Sequence, residues 1–294
     1  MGLMTVFANF RIDSEERLIR MQDSFRSFCE ADIEMWVVNI RGSLKNEAAE
    51  FLKTNLGGRL KLFELESKNG WFHDSRQMLH EINSEYVFFW IEDHLCLSGV
   101  NYFNQVVSEM KVLDAEYLLY SWFHQGEALK SYSCLPSVDG NTIIKVDYDA
   151  KRHRQRMDML KNNKLCPTYI ISCTAIFNLK LFKKVIVTND PILKRYPKHS
   201  PFDFEKSQRY THWLPIRVAQ TKLEFFAPID DDQGRVGYSL IARGLYPSRV
   251  LRESILKVRN SYLGIMPPFF VTHLLFNLRE DINIFYAWVK NGRD

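Results

Sequence analysis

The sequence predicts an α/β fold: a mixed, mostly parallel, doubly wound sheet flanked by helices, with a helical extension at its C-terminal end. Three observations predict it. Apolar runs rich in β-branched and aromatic residues alternate with segments of helical period over residues 3–122, the pattern of βαβ units. The run from Tyr86 to Ile91, YVFFWI, is apolar on both faces and too short for a typical helix, so it suits a strand buried on both sides. Beyond Gly234 the composition changes: Arg235, Arg243, Arg249, Arg252, Lys257 and Arg259 face one acid, Glu253, and residues 263–276 are nearly all apolar.

Taken in order, residues 3–7 form a short apolar strand that turns out through Asn9 and Arg11. Asp13 and Glu16 have capping-box spacing, with Ser14 as the alternative N-cap of a helix to about residue 31. A strand at 33–40 leads through Asn39 and Arg41 to a turn at Gly42. A helix over 44–56 stops at Gly57 and Gly58, which supply the positive φ of a helix end. Residues 60–65 are the third strand, 86–91 the fourth, 100–112 a helix and 116–122 a further strand. Later segments are a strand at 142–146, a central strand within 169–177, a helix over 179–187, a polar helix from about Phe202, and a last strand at 221–227. Right-handed crossovers place parallel strand ends on one edge, so Asn9, Arg11, Asn39, Arg41, Ser67, Lys68, Glu92 and Asp93 should line one crevice.

Composition narrows the function classes. A chain of 294 residues with 46% hydrophobic content buries a large core and is not disordered. The mild formal charge of +4 fits phosphate-bearing ligands without demanding nucleic acid. The basic run 151–164 is not interleaved with aromatics in an RNA-binding pattern, so no nucleic-acid partner is expected. Five cysteines with no CxxC pair read as reduced thiols in a cytosolic protein. No leader peptide is apparent, and the uncharged run 260–278 is broken by Pro267 and Pro268, so it is not read as a membrane span.

These pieces in this order resemble the inverting glycosyltransferases of the GT-A fold, particularly family 2, over roughly residues 4–122. Asn9 follows the first strand, Asn69, Gly70, Ser75 and Arg76 approximate an N-x-G…RN segment, and Glu92, Asp93 and His94 stand where that family carries its DxD motif. The resemblance implies a GT-A-like (Rossmann-like) domain over 1–234, its nucleotide-sugar-binding half at 1–122 and its acceptor half at 123–234, followed by the extension at 235–294. It implies donor binding by Asn9, Arg11, Asn39, Arg41, Lys68, Asn69, Arg76, Glu92 and Asp93. The acceptor would be a glycan or lipid-linked hydroxyl, deprotonated by Asp203 or Glu205 in SPFDFEKSQR. Two departures shape the expectation. The acidic pair usual after the second strand is replaced by Asn39, Ile40 and Arg41, so the nucleotide need not be UDP. With Glu-Asp-His in place of DxD, either Mn²⁺ or Mg²⁺ is held by Asp93 and His94, or arginine and lysine neutralise the leaving group without a metal.

The expected enzyme is a cytoplasmic sugar transferase of bacterial surface-polysaccharide synthesis, for lipopolysaccharide O-antigen or capsule. Its basic and apolar C-terminal stretch either rests on the inner face of the cytoplasmic membrane or packs on the main domain or on a second subunit of a homodimer. The rival is a non-catalytic GT-A-like module that binds a nucleotide or glycan, favoured by the missing DxD. Weaker candidates are Asp230, Asp231 and Asp232 as a late acidic loop, and Trp71 and Phe72 as stacking rings.

Overall fold

The computed structural model describes residues 3–119, 136–152, 154–155, 173–187, 213–230 and 239–247. Met1–Tyr246 make up one compact unit, and the second, Pro247–Asp294, is described only at Pro247. Among the described residues the strands are β1 (Met4–Arg11), β2 (Met35–Arg41), β3 (Leu60–Phe63), β4 (Tyr86–Phe89), β5 (His94–Cys96), β6 (Tyr117–Leu119), β7 (Ser137–Asp139), β8 (Ile143–Tyr148), β9 (Ala175–Asn178), β10 (Ile216–Thr221) and β11 (Phe226–Pro228). The helices are α1 (Glu15–Arg26), α2 (Lys45–Leu56), α3 (Trp71–Met78), α4 (Gly99–Val112) and Leu179–Val187, called α5 below.

Nine strands form one sheet in the order β3-β2-β1-β4-β9-β6-β10-β8-β7. β1 pairs in parallel with β2 and β4, β2 with β3, and β10 with β6, whereas β9 is antiparallel to both β4 and β6, and β8 to both β10 and β7. The expected mixed, mostly parallel sheet is therefore present: only β8 and β9 run against the rest. Both faces are covered, as the apolar runs require. Val6 and Ala8 of β1 and Phe88 of β4 pack with Met21 and Phe25 of α1, Leu52 of α2 and Phe103 of α4. Phe7, Val87 and Phe89 point the other way, toward Trp71 and Met78 of α3 and Phe182 and Val185 of α5. The strand period of two thus divides the two cores residue by residue.

Local choices are resolved by hydrogen bonds. Ser14, not Asp13, caps α1, its hydroxyl accepting from the Arg17 amide at 3.3 Å. Gly42 (φ +105°) sits where an added Cβ would lie 2.3 Å from the Ile12 carbonyl oxygen, so the loops after β1 and β2 can press together only through glycine. The expected last strand at 221–227 is corrected. β10 ends at Thr221, the chain bends over Lys222–Glu224, and Phe226–Pro228 pairs instead with β5 in a separate two-stranded sheet. Arg217 and Gln220 interrupt the apolar run of β10, and its cross-strand partners in β6 and β8 override that interruption. The polar helix from Phe202, residues 123–135, residues 156–164 of the basic run and the C-terminal stretch from 248 lie outside the described residues.

Candidate functional site

β1, β2, β3 and β4 run in parallel, so their carboxyl ends share one edge. Asn9 and Asn39 are directly paired across β1 and β2. Asn39 Nδ2 donates to Asn9 Oδ1 and to the Leu65 carbonyl, both at 3.0 Å, and its Oδ1 accepts from the Leu65 amide at 2.8 Å. Asn9 Nδ2 donates to Ser75 Oγ at 3.0 Å, and the Trp71 indole N–H donates back to the Asn9 carbonyl at 2.8 Å. The two amides are thus engaged in stitching β1, β2, the loop after β3 and α3 together, and both side chains are buried. Trp71 is buried with them, beneath the site floor, in edge contact with Phe7, Phe72 and Phe89.

The loop between β3 and α3 is held in shape by Asp74. Its Oδ2 accepts from both the amide and the hydroxyl of Ser67 at 2.7 Å, and Ser67 takes up a left-handed conformation (φ 52°). Lys68 and Asn69 are exposed on this loop, and Arg76 is exposed on α3. Arg11 is also exposed, its Nε paired with both carboxylate oxygens of Asp13 at 2.9 and 2.7 Å.

Arg41 differs from these cations. It is 3% exposed, and its Nε and Nη1 meet no hydrogen-bond acceptor. Burial pushes its guanidinium below the ordinary value, against the opposing pull of Asp74. Its backbone is fixed, with the Ile12 amide donating to its carbonyl at 2.7 Å.

The turn after β4 places Glu92 inside, Asp93 partly exposed and His94 buried. The His94 Nδ1 and Asp93 Oδ1 are 2.6 Å apart. The turn is clamped from α1 and β11. Ser24 Oγ donates to the His94 carbonyl while accepting from the Trp90 indole N–H at 2.8 Å, and the Ile229 amide donates to the Asp93 carbonyl at 2.7 Å. Burial, with the neighbouring Asp93 carboxylate, pushes Glu92 up to about 7. Asp93 moves the other way: burial raises it, but the His94 imidazole and the guanidinium groups of Arg20 and Arg17 outweigh that and hold it below the usual range.

Arg17 and Arg20 are residues that sequence reasoning missed. Arg17 Nη1 donates to the Arg11 carbonyl at 3.1 Å and stands 3.7 Å from Glu92 Oε1, bridging the ends of β1 and β4. Arg20 Nε is 2.8 Å from Glu16 Oε1, and its Nη2 lies 3.5 Å from Asp230 Oδ2. The signal was the RLIR repeat of arginines one helical turn apart, which reads first as a solvated helix face. The structure therefore brings Arg11, Arg17, Arg41, Glu92, Asp93 and Asp74 to one edge, with Asn9 and Asn39 as its buried struts.

Among the described residues no three of His, Cys, Asp and Glu converge as a metal-ligand set. His94 Nδ1 is turned onto Asp93, and Arg20 already stands by Asp230, so these residues do not by themselves fit a protein-held divalent ion. Asp203, Glu205, Asp231 and Asp232 lie outside the described residues.

Comparison with protein-family models gives no match, and neither does comparison with curated proteins. Solved structures do match in chain trace. One is S. aureus TarS residues 1–349 in complex with UDP, at 14% identity and a TM-score of 0.46, covering 76% of this chain and 59% of that one. Another is the mannosyltransferase PcManGT from Pyrobaculum calidifontis in complex with GDP-Man and Mn²⁺, at 13% identity and a TM-score of 0.43, covering 74% of this chain and 54% of that one. The chain spans less than two thirds of each, and 36% of a longer TarS structure.

Proposed function

We propose that the chain is a glycosyltransferase that moves a sugar, with inversion, from a nucleotide-sugar donor to a hydroxyl of a glycan or lipid-linked acceptor, in bacterial surface-polysaccharide synthesis. The observation that carries this reading is the meeting, at the carboxyl edge of β1, β2 and β4, of the Glu92–Asp93–His94 turn with the guanidinium groups of Arg17 and Arg41. Departure of a nucleoside diphosphate leaves negative charge on the leaving oxygen, and fixed cations at that point stabilise it without reorganising. Arg17 sits between two strand ends and stays half exposed, so it can reach a phosphate. Arg11, Lys68 and Arg76 are exposed cations of the same donor half. The acceptor hydroxyl must lose a proton, and Asp203 or Glu205 is the proposed base.

Divalent metal fits this scheme only with help from the donor. Mg²⁺ and Mn²⁺ are commonly held by one or two carboxylates together with substrate phosphates, and Asp93 is the carboxylate that could take part. No step here depends on it. Nucleotide release from a panel of nucleotide sugars, with and without Mn²⁺, tests the proposal. Release with at least one donor, lost in Arg17→Ala and in the double variant Asp203→Ala/Glu205→Ala, is the expected outcome. If nucleotides raise the melting temperature but no donor is hydrolysed or consumed, the rival non-catalytic module takes its place.

A further inference from the structure

β5 belongs to a two-stranded sheet, so one of its flanks has no strand beside it. Its ladder with β11 uses alternate residues: the Ile229 amide donates to the Asp93 carbonyl, and the Leu97 amide to the Phe225 carbonyl. His94 and Cys96 therefore turn their backbone groups to the other flank. There α1 supplies what a strand would. Ser24 Oγ donates to the His94 carbonyl, and the Cys96 amide donates to Ser27 Oγ at 2.9 Å.

Ser24 does more than fill that flank. A serine inside a helix commonly returns its hydroxyl to the carbonyl one turn back, whereas this buried one spends its single proton on β5 and accepts from the Trp90 indole N–H at 2.8 Å. Satisfying an indole does not require it, since the Trp36 indole N–H is buried in the same core without a partner. One hydroxyl thus holds both ends of the turn that carries Glu92 and Asp93, Trp90 at its start and His94 at its close. Ser24 also follows Arg20 by four residues and Arg17 by seven, which puts all three on one face of α1. The helix that grips the backbone of the turn is the one whose guanidinium groups act on its two carboxylates. We propose that Ser24 is a positioning residue of the transfer: its hydroxyl fixes the acid turn against Arg17 and Arg20 and so aligns the charges that meet the departing diphosphate. This rests on the nucleotide-sugar reading above. Fixed charges stabilise a leaving group only where they are held, so a small displacement of the turn costs rate.

The test is steady-state nucleotide release by the full chain from a panel of UDP-, GDP-, CDP- and ADP-linked sugars, for wild type, Ser24→Ala, Ser24→Cys and Ser27→Ala, each assayed below its own melting temperature. With the donor that wild type turns over, Ser24→Ala should lower kcat by about tenfold or more and leave KM within about twofold, because a displaced turn loses an interaction made in the transition state. Ser24→Cys, whose thiol is a weak donor, should fall between the two, and serves alone if Ser24→Ala does not fold. Ser27→Ala, which loosens β5 beyond the turn, should melt lower and keep the wild-type kcat. Wild-type kcat in the Ser24 variants overturns the proposal. So does a raised KM at unchanged kcat, which would make Ser24 a support for donor binding, and so does an equal fall of kcat in Ser27→Ala, which would make the effect a general loosening of β5. Release from no donor by wild type overturns the transferase reading and the proposal with it, whereas the other three outcomes overturn the proposal alone.

Discussion

At the scale of single residues, Glu92 is where pH should act. Its carboxyl is raised from an ordinary 4.5 to about 7 by burial and by Asp93. Between those two values the folded chain holds a proton that the unfolded chain releases, so Glu92 makes stability fall as pH rises through that window, with its full cost present above about 7. Glu92→Gln should flatten this slope and stabilise the protein at pH 8 by roughly 1–3 kcal/mol, measured by urea unfolding across pH. Asp93 opposes it in sign, losing its contribution only as pH falls below the usual carboxylate range. Asn39→Ala should cost about 1–3 kcal/mol by the same measurement, because it leaves the buried Asn9 Oδ1 and the half-buried Leu65 amide without their partner. Asn9, Asn39, Arg41, Glu92 and Asp93 were legible as edge residues because strand position alone puts them there. Which of them face a ligand and which face each other was not, since Asn9 and Asn39 are joined by contacts with Leu65, Trp71 and Ser75, between 26 and 66 residues away.

At the scale of elements, the loop after β2 and the hairpin of β7 and β8 each depend on one contact. Gly42→Ala must place a methyl group against the Ile12 carbonyl in a backbone conformation that alanine avoids, and should cost about 2–4 kcal/mol in thermal or urea unfolding. Glu109 of α4 accepts hydrogen bonds from the amides of Asn141, Thr142 and Ile143 and from the Thr142 hydroxyl. Burial raises this carboxyl, but the hydrogen bonds outweigh it and hold it below 4.5, so its contribution is present above that value and is lost as pH falls through the depressed one. Glu109→Gln should lower stability at neutral pH by about 1–3 kcal/mol and loosen amide-exchange protection at 141–143. Elements with clean periods were legible: α5 has the bounds its apolar spacing gave, and β1, β2, α1 and α2 shift by a few residues at their ends. α3 was not identified as a helix, because its buried face combines Trp71 and Met78 with Asp74 and Ser75 and so lacks an apolar stripe. β5 and β11 are three residues each and exist through their mutual pairing, which no local pattern announces.

For the whole molecule, the basic interval 235–259 and the apolar stretch that follows lead us to expect peripheral membrane contact. Each basic residue near an anionic surface contributes about 1 kcal/mol, so the full chain should cosediment with vesicles containing anionic lipid and be released by salt. A chain ending at Tyr246 should stay in the supernatant, and equal sedimentation of the two would remove the C-terminal stretch from that role. The order of strands has a different consequence, for synthesis. β9 fills the gap between β4 and β6, yet it is made about 55 residues after β6 and nearly 90 after β4. Until Asn178 clears the ribosome, the nascent N-terminal half carries the bare flank of β4, with Val87 and Phe89 beside it, as an open template for other chains.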